Sequence, residues 1–430
     1  MKDSGVEWIG EIPINAKIIK LKSISNIING YAFKSEMFTD DENELNVITI
    51  SSFDNQKILP EKLSYSIEKK DFSKYLLQEN DILIAMSGGT VGKNVLVRNI
   101  RKNMYINQRV CILRSQYYKY ISYWINSDSF KEYTLLNSIG SAQPNISSTQ
   151  LNEFDIPWSN EVEKVVDILD EKISIIEDII VKTKNSIEEL KKYKQSLITE
   201  VVTKGLDKNV EMKDSGIEWI GEIPKDWGIR KMKNLGRIIN GLTFDPSDVT
   251  DEQNGILLLR SGNIQNGKLD FQNNIYIKKS AIDEKKIVNE DDILICSRNG
   301  SRNLIGKNAI ITENVYATFG AFMMLFKTDK YNSRYLYYIL NSGVFNYYLG
   351  TFLTSTINQL TKNNFDNMQI VFTEDILEQR KIVKYLDNKV KLIDELINNK
   401  SKIINEYKSY KKSLIYEYVT GKKEVGEEEK

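Results

Sequence analysis

The longest regular pattern of apolar residues runs through residues 162–202 and predicts a long amphipathic helix. Apolar residues recur there at steps of three and four, close to a heptad pattern, and neither Gly nor Pro interrupts them. About forty residues at a rise of ~1.5 Å make a helix of roughly 60 Å, which needs a partner to bury its stripe. The stripe consists of Val165, Leu169, Ile173, Ile176, Ile180, Ile187, Leu190, Tyr193, Leu197 and Val201.

A second stripe with the same spacing lies near the C-terminus and supplies that partner within the chain. It consists of Ile382, Leu386, Val390, Ile393, Ile397, Ile404, Tyr407, Tyr410, Leu414 and Tyr418. We therefore expect two long helices that pack antiparallel as a coiled coil.

The repetition extends over the whole chain and indicates an internal duplication. The copies differ most at residues 38–76 and 87–113 and in their counterparts. One framework with two different interiors suggests one task carried out on two different targets. The matching segments are KDSGVEWIGEIP (2–13) and KDSGIEWIGEIP (213–224), DILI (81–84 and 292–295), and SLITEVVT (196–203) and SLIYEYVT (413–420).

Short runs rich in Ile, Leu and Val, such as NDILIAMS, VCILR, DDILICS and AFMMLFK, predict strands in each copy. Residues 117–136 and 334–352 have aromatic residues at helical spacing, and each predicts a helix. The fold class is α+β: two similar mixed domains separated by two long antiparallel helices, with a pseudo-two-fold internal repeat. The predicted divisions are 1–158 (first domain), 159–205 (first long helix), 206–372 (linker and second domain), 373–422 (second long helix) and 423–430 (acidic tail).

Composition excludes several kinds of chemistry. The 430 residues contain no His, which removes histidine-based triads and histidine metal ligands. The two cysteines lie in the apolar runs VCIL and ILIC, which suggests buried thiols in a reducing, cytoplasmic setting. No run of apolar residues is long enough to span a membrane, and the N-terminal segment lacks the apolar core of a signal peptide.

Charge is balanced overall, with 59 basic and 59 acidic residues, but it is segregated along the chain. Residues 82–127 and 293–312 contain no Asp or Glu. Both segments carry several Lys and Arg residues that would suit a phosphate backbone. Neutral net charge by itself favours a protein that does not bind nucleic acid.

The segment SGGTVGKN, residues 87–94, resembles a phosphate-binding loop but fails its pattern. The spacing is one residue short, Asn94 replaces the Ser or Thr, and a strand follows in place of a helix. A turn that joins two strands is the better interpretation, with side chains of the types that contact bases and phosphates. A solvated polar turn is the alternative. The candidates are Ser87, Thr90 and Lys93 in the first copy and Ser297, Arg298, Asn299, Ser301, Arg302 and Lys307 in the second.

Two further kinds of segment are candidates for nucleic-acid contacts. RNIRKNMYINQR is basic, and QPNISS and NQLTKNN are amide-rich loops at matching places in the two copies. An exposed basic face, or ordinary caps and turns, would explain them equally well. The candidates are Arg98, Arg101, Lys102, Gln108, Arg109, Gln143, Asn145, Gln359 and Thr361.

The chain resembles the specificity subunits of type I restriction–modification systems over nearly its full length. The motifs are EWIGEIP, the following IINGYAFKS with Lys34, DILIAMSGGTVGK, and the two long helices that end in SLITEVVTKG and SLIYEYVTGK. In the second copy GLTFDPS replaces GYAFKS, and the loop after DILI is longer. The resemblance adds Lys34 to the candidate DNA contacts.

The resemblance implies two target-recognition domains, each reading one half of a gapped double-stranded DNA site. The helix pair would be a spacer and a dock for two modification (methyltransferase) subunits, with restriction subunits in the full complex. S-adenosylmethionine, ATP and Mg would act on those partners, and this chain would carry no catalytic residue, metal or cofactor. The chain itself lacks an Asn-Pro-Pro-aromatic methyltransferase motif. The competing hypothesis is a helical adaptor that never contacts DNA.

Overall fold

The computed structural model describes residues 1–55, 57–100, 102–138, 144–353 and 358–423. The chain forms two compact units: unit 1 contains Met1–Thr183 and Lys402–Lys430, and unit 2 contains Lys184–Ser401. Each unit combines one globular domain with part of each long helix. Among the described residues, no helix is both long and apolar enough to span a membrane.

Unit 1 contains the first globular domain and most of its elements are short. Its strands are β1 (Lys2–Asp3), β2 (Glu11–Ile12), β3 (Lys17–Lys20), β4 (Asn26–Asn29), β5 (Phe38–Thr39), β6 (Leu45–Ile48), β7 (Ser64–Ser66), β8 (Ile82–Ala85), β9 (Asn94–Leu96), β10 (Met104–Ile106), β11 (Val110–Arg114) and β12 (Asp155–Trp158). Its helices are α1 (Tyr118–Ile125), α2 (Asp128–Ser138), α3 (Ser148–Asn152) and the start of α4 (Val162–Lys204).

Unit 2 repeats this order of elements and adds one short pair of strands after its counterpart of β6. Its strands are β13 (Met212–Asp214), β14 (Glu222–Pro224), β15 (Gly228–Lys231), β16 (Arg237–Asn240), β17 (Val249–Thr250), β18 (Gly255–Leu259), β19 (Ile264–Gln265), β20 (Lys268–Leu269), β21 (Tyr276–Lys278), β22 (Ile293–Cys296), β23 (Asn308–Ile310), β24 (Ala317–Phe319), β25 (Met323–Lys327) and β26 (Gln369–Phe372). Its helices are α5 (Ser333–Ile339), α6 (Gly343–Phe352), α7 (Lys362–Asp366) and the start of α8 (Ile376–Val419).

The sheets have the same topology in both units. The main antiparallel sheets have the orders β4-β11-β8-β9 and β16-β25-β22-β23, and the second sheets β10-β6-β7-β5 and β17-β21-β18-β24. Strand β22 is buried on both faces: Ile293 and Ile295 pack with the helices, and Leu294 and Cys296 pack towards the second sheet. Burial on both faces is why this strand and β8 are continuous apolar runs. The predicted strands are confirmed.

The two aromatic segments are helical, as predicted, and each forms two consecutive helices. The break falls at an Asn-Ser pair in both units. The Ser127 hydroxyl donates to the Trp124 carbonyl (2.6 Å), and the Ser342 hydroxyl donates to the Ile339 carbonyl (2.7 Å). Such side-chain bonds compete with the helical backbone, and the chain turns there.

The long helices bury most of the predicted stripe, with a correction at two tyrosines. Tyr193 and Tyr410 are 57% and 45% exposed. The lysine after each tyrosine lies at the helix–helix contact instead: Lys194 pairs with Asp394 at 2.7 Å in unit 2, and Lys411 pairs with Glu177 at 2.5 Å in unit 1. Early positions of one helix thus face late positions of the other, which confirms antiparallel packing in each unit.

A buried ion pair anchors the strand that leads into the candidate site. Asp81 is 1% exposed, and Arg114 donates to its two carboxylate oxygens through Nε and Nη2, both at 2.7 Å. This contact raises the pKa of Arg114. In unit 2, Asp292 and Lys327 take the same places at 2.8 Å; burial raises the pKa of Asp292, and the Lys327 ammonium opposes that shift.

Replacing Asp81 by Ala should lower the free energy of unfolding by about 3 kcal/mol, because Arg114 loses its charge partner inside the domain. For a cooperative unit of about 200 residues, such as unit 1, that corresponds to a fall in Tm of about 6–12 °C in thermal unfolding. Lys22→Ala is the matched control, since its ion pair with Glu153 is exposed on both sides and should change Tm little. Equal effects of the two substitutions would contradict the structural role of Asp81.

Both cysteines are buried, as predicted, and neither forms a disulfide. Burial raises the pKa of the Cys111 thiol to about 12 and raises that of Cys296.

Candidate nucleic-acid interface

The turn after β8 lies against the amide-rich loop, although about fifty residues separate them in sequence. Ser87 and Asn145 form an antiparallel bridge. The Ile146 amide donates to the Met86 carbonyl and the Gly88 amide to the Pro144 carbonyl, both at 2.9 Å. Two of the predicted segments therefore form one surface in unit 1.

A third segment joins this surface at the turn between β10 and β11. The Met86 amide donates to the Arg109 carbonyl at 2.9 Å, and the Gln108 amide donates to the Tyr31 carbonyl at 2.8 Å. Gln108, Arg109 and Asn145 are exposed. The Ser87 hydroxyl is buried and has no hydrogen-bond partner among the described residues. A polar group of this kind usually finds a partner in water or a ligand.

Unit 2 builds the same surface from the corresponding residues. Arg298 and Gln359 form the antiparallel bridge, and the Leu360 amide donates to the Ser297 carbonyl at 2.8 Å. The Ser297 and Arg298 amides both donate to the Phe322 carbonyl, at 2.9 and 3.1 Å. We call the two surfaces the turn surfaces: 86–94, 107–109 and 144–146 in unit 1, and 297–307, 320–322 and 358–360 in unit 2.

The two turn surfaces differ at two matching positions, where an exposed arginine stands in one unit and another residue in the other. Arg109 stands on the β10–β11 turn in unit 1, where Phe322 stands in unit 2. Arg298 stands on the turn after β22 in unit 2, where Ser87 stands in unit 1. The Arg298 guanidinium lies 5.3 Å from the centre of the Phe322 ring, which is 57% exposed. This cation–π contact holds the guanidinium over an exposed ring.

Phe322 was not among the sequence candidates. Its signal was weak, because a Phe beside the apolar run of β25 is read as part of the strand core. Only the alignment of the two repeats, with Arg109 opposite Phe322, would have singled it out.

Several predicted residues are engaged within the fold. The Lys93 ammonium donates to the Ile50 carbonyl and lies 4.6 Å from the Phe53 ring centre, and its partial burial lowers its pKa. The Arg98 guanidinium donates to Asn80 and stacks on Tyr118. These two cations are thereby less available to a phosphate than their sequence suggests.

Three predicted residues of unit 2 also have structural partners. The Arg302 guanidinium donates to the Leu353 carbonyl at 2.6 Å, and the Asn299 amide group donates to the Ser261 hydroxyl at 3.1 Å. The Thr361 hydroxyl accepts from the Asn364 amide at 3.1 Å and caps α7.

Of the remaining predicted residues, Thr90, Ser301 and Lys307 belong to the turn surfaces, and Lys34 and Lys102 lie outside them. Lys34, Thr90, Lys102 and Ser301 are exposed, and Lys307 is half-buried. Lys34 lies on the segment after β4, near the Tyr31 that holds Gln108. Arg101, Gln143 and the acidic tail at 424–430 lie outside the described residues.

The phosphate-loop resemblance ends at the strand that follows the turn. Strands β8 and β9 pair antiparallel, so residues 86–93 are a hairpin connection and no helix follows them. Asn94 donates to the Gly92 and Ile125 carbonyls, and Asn308 donates to the Gly306 and Leu340 carbonyls, so both amides hold the turn onto α1 or α5. In the described part of the chain, no group of His, Cys, Asp or Glu is suited to a metal ion.

The fold thus consists of two repeated α+β domains on long helices, and each domain carries a turn surface with different side chains. The family profile of the type I restriction modification DNA specificity domain matches residues 13–189 and 224–406. The chain belongs to this family, which confirms the resemblance and favours the DNA-specificity role over the adaptor.

Curated relatives agree with this assignment. The chain is 29% identical over 308 residues to the putative type I restriction enzyme MjaX specificity subunit of Methanocaldococcus jannaschii, covering 67% of this chain and 68% of the relative. It is 24% identical over 178 residues to the type I restriction enzyme StySPI specificity subunit of Salmonella potsdam, covering 40% of this chain. The match spans only 38% of the Salmonella protein's length.

A solved structure has the same fold. That structure was solved to show the structural basis of complex assembly and conformational transition of the type I R-M system. The TM-score is 0.69 at 16% identity, and the match covers 95% of this chain and 98% of that one.

Proposed function

We propose that the chain reads the two halves of a gapped DNA site, one with each turn surface, for a type I restriction–modification complex. The observation that carries this proposal is the repeated turn surface with different side chains at matching positions. Unit 1 presents the exposed Arg109, and unit 2 presents Arg298 over the ring of Phe322. The common backbone would present a side chain at the same place in each half, and the different side chains would read different bases.

The chemistry of modification and cleavage belongs, in this proposal, to partner subunits. Methyltransferase subunits would bring S-adenosylmethionine, and restriction subunits would bring ATP and Mg. This chain would contribute recognition alone.

Exposed apolar residues on the long helices support docking of those partners. Ile175 and Tyr410 in unit 1, and Tyr193, Leu392 and Leu396 in unit 2, are each 45–57% exposed. Ile175 corresponds to Leu392 in the repeat, and Tyr193 to Tyr410. Repeated exposed apolar side chains suit two copies of one partner.

Replacing Leu392 and Leu396 together by Asp should reduce the bound methyltransferase subunits from about two per chain to about one, because charge would enter an apolar interface. Native mass spectrometry of the co-expressed complex measures the ratio. Ile175→Asp should remove the other copy. Retention of both copies in both variants would contradict the docking role of these residues.

Sequencing of methylated bases in the host genome, with and without the gene, tests the proposed function. We expect N6-methyladenine at one two-part motif to disappear when the gene is deleted. In vitro, binding of the complex to DNA with that motif should weaken steeply with salt, since phosphate contacts release counterions. The absence of salt-dependent binding specific to that motif would support the adaptor instead.

A further inference from the structure

A cleft of about 260 Å³ lies in unit 1 where the start of α4 meets the end of α8. Its walls include Ala16, Tyr120, Trp158, Val165 and Tyr418, and Glu161 stands at its edge. Tyr120 and Tyr418 are each only 3% exposed. The cleft is far in sequence from the turn surface, and the proposed DNA role does not use it.

The second repeat shows which side chain fills the corresponding place. Ala16 follows EIP by three residues in the first copy, and Trp227 follows EIP by three residues in the second. The backbones agree: the Ala16 amide donates to the Pro13 carbonyl at 3.0 Å, and the Trp227 amide donates to the Pro224 carbonyl at 2.9 Å. Trp227 is 3% exposed and belongs to the core of unit 2.

The first copy also has a glutamate at the position of the residue that accepts the hydrogen bond from that tryptophan. The Trp227 indole N–H donates to the Glu378 carboxylate at 2.9 Å. Glu161 occupies the same position of the repeat as Glu378, eight residues before the Leu-Asp pair that α4 and α8 share. In unit 1 the Glu161 carboxylate forms a loose ion pair, 3.5 Å from the Lys164 ammonium, and its side chain is 44% exposed.

We propose that this cleft binds an indole-like aromatic ring with an N–H donor, and that Glu161 accepts the hydrogen bond. The exchange of Trp for Ala removes one indole group at this place in the repeat, and the neighbouring helix ends differ as well: Gly205 lies against Trp227, and Gly421 lies against Pro13. An apolar cavity of about 150 Å³ is already sufficient to bind benzene. The aromatic walls would stack with the bound ring, and the carboxylate would select rings that carry a donor.

Binding of fluoroindole to the full chain in its complex, followed by fluorine NMR, tests the proposal. The wild-type protein should broaden and shift the ligand signal in a saturable way. Ala16→Trp should abolish binding and raise Tm by about 2–6 °C, because it fills the cleft. Glu161→Gln should weaken binding about fivefold to tenfold, because the acceptor loses its charge.

Trp227→Ala is the matched control in unit 2 and should create a second saturable site beside Glu378. If that variant does not fold, Ala16→Trp and Glu161→Gln decide the matter. No binding by the wild-type protein, or equal binding by Ala16→Trp, would overturn the proposal. N-acetyltryptophanamide distinguishes the sources of the ring: binding of both probes supports a partner's tryptophan side chain, and binding of fluoroindole alone supports a free small molecule.

Discussion

Replacing Arg298 by Ala should abolish recognition of one half of the DNA site and leave the other half unchanged. Arg298 is exposed on the turn surface of unit 2 and is held over the Phe322 ring. An arginine in this setting is suited to bidentate contact with a guanine edge, which is worth about 1–3 kcal/mol of discrimination. We therefore expect methylation to lose about ten- to a hundredfold of its preference at that half-site.

The measurement is methylation of a DNA library in which each half-site is randomised in turn, followed by sequencing of the modified molecules. Arg109→Ala should relax the other half-site, because Arg109 is exposed on the turn surface of unit 1. Phe322→Ala should act in the same direction as Arg298→Ala but less strongly, since the guanidinium loses only its support.

Arg302→Ala is the matched control, because its guanidinium already donates to the Leu353 carbonyl within the fold. It should alter sequence preference less than Arg298→Ala does. An unchanged motif in the Arg298 variant would show that this turn does not read bases. Equal loss at both half-sites would indicate damage to the complex as a whole.

The framework of the molecule could be predicted because its signals are local or repeated. Apolar runs such as ILIA and ILIC predict buried strands, and stripes at helical spacing predict the long helices. The aromatic spacing predicts helix on both sides of Ser127 and Ser342 but not the break between the helices, where a hydroxyl bonds to the backbone.

The site could be predicted only as a set of candidate residues. Sequence placed Ser87 and Asn145 in separate loops, and their bridge depends on how the chain folds between them. The same limit applies to Lys93, because its partner is a backbone carbonyl at Ile50 that no side-chain pattern reveals. Residue type alone therefore could not show that Arg298 is exposed on the turn surface while the Arg302 guanidinium is bonded to a backbone carbonyl of the fold.

The internal repeat provides what a single sequence usually lacks, a second solution to the same packing problem. Ala16 opposite Trp227 and Arg109 opposite Phe322 are visible once the copies are aligned. The structure shows what these differences do. Ala16 in place of a tryptophan lines a cleft in unit 1, and the β10–β11 turn carries an exposed arginine where unit 2 carries an exposed phenyl ring.

Shortening both long helices by one heptad should shorten the gap between the two half-sites by about three base pairs. Seven residues at ~1.5 Å rise remove about 10 Å of helix, and a base pair of B-DNA occupies about 3.4 Å. Segments 184–190 and 398–404 are suitable, because the register of the ion pairs Lys194–Asp394 and Glu177–Lys411 sets them opposite one another. A whole heptad also preserves the buried stripe.

Sequencing of methylated sites in cells that carry the shortened chain measures the gap directly. Both half-site sequences should persist, because the turn surfaces are untouched, while the number of unspecified bases between them falls. The control is a chain in which the same segments are replaced by another heptad of equal length, and it should keep the original gap. A shortened chain that methylates the original motif would show that the helices do not set the spacing. If the complex still assembles but all methylation is lost, the DNA would be the obstacle, because bending it to fit the shorter helices would cost too much free energy.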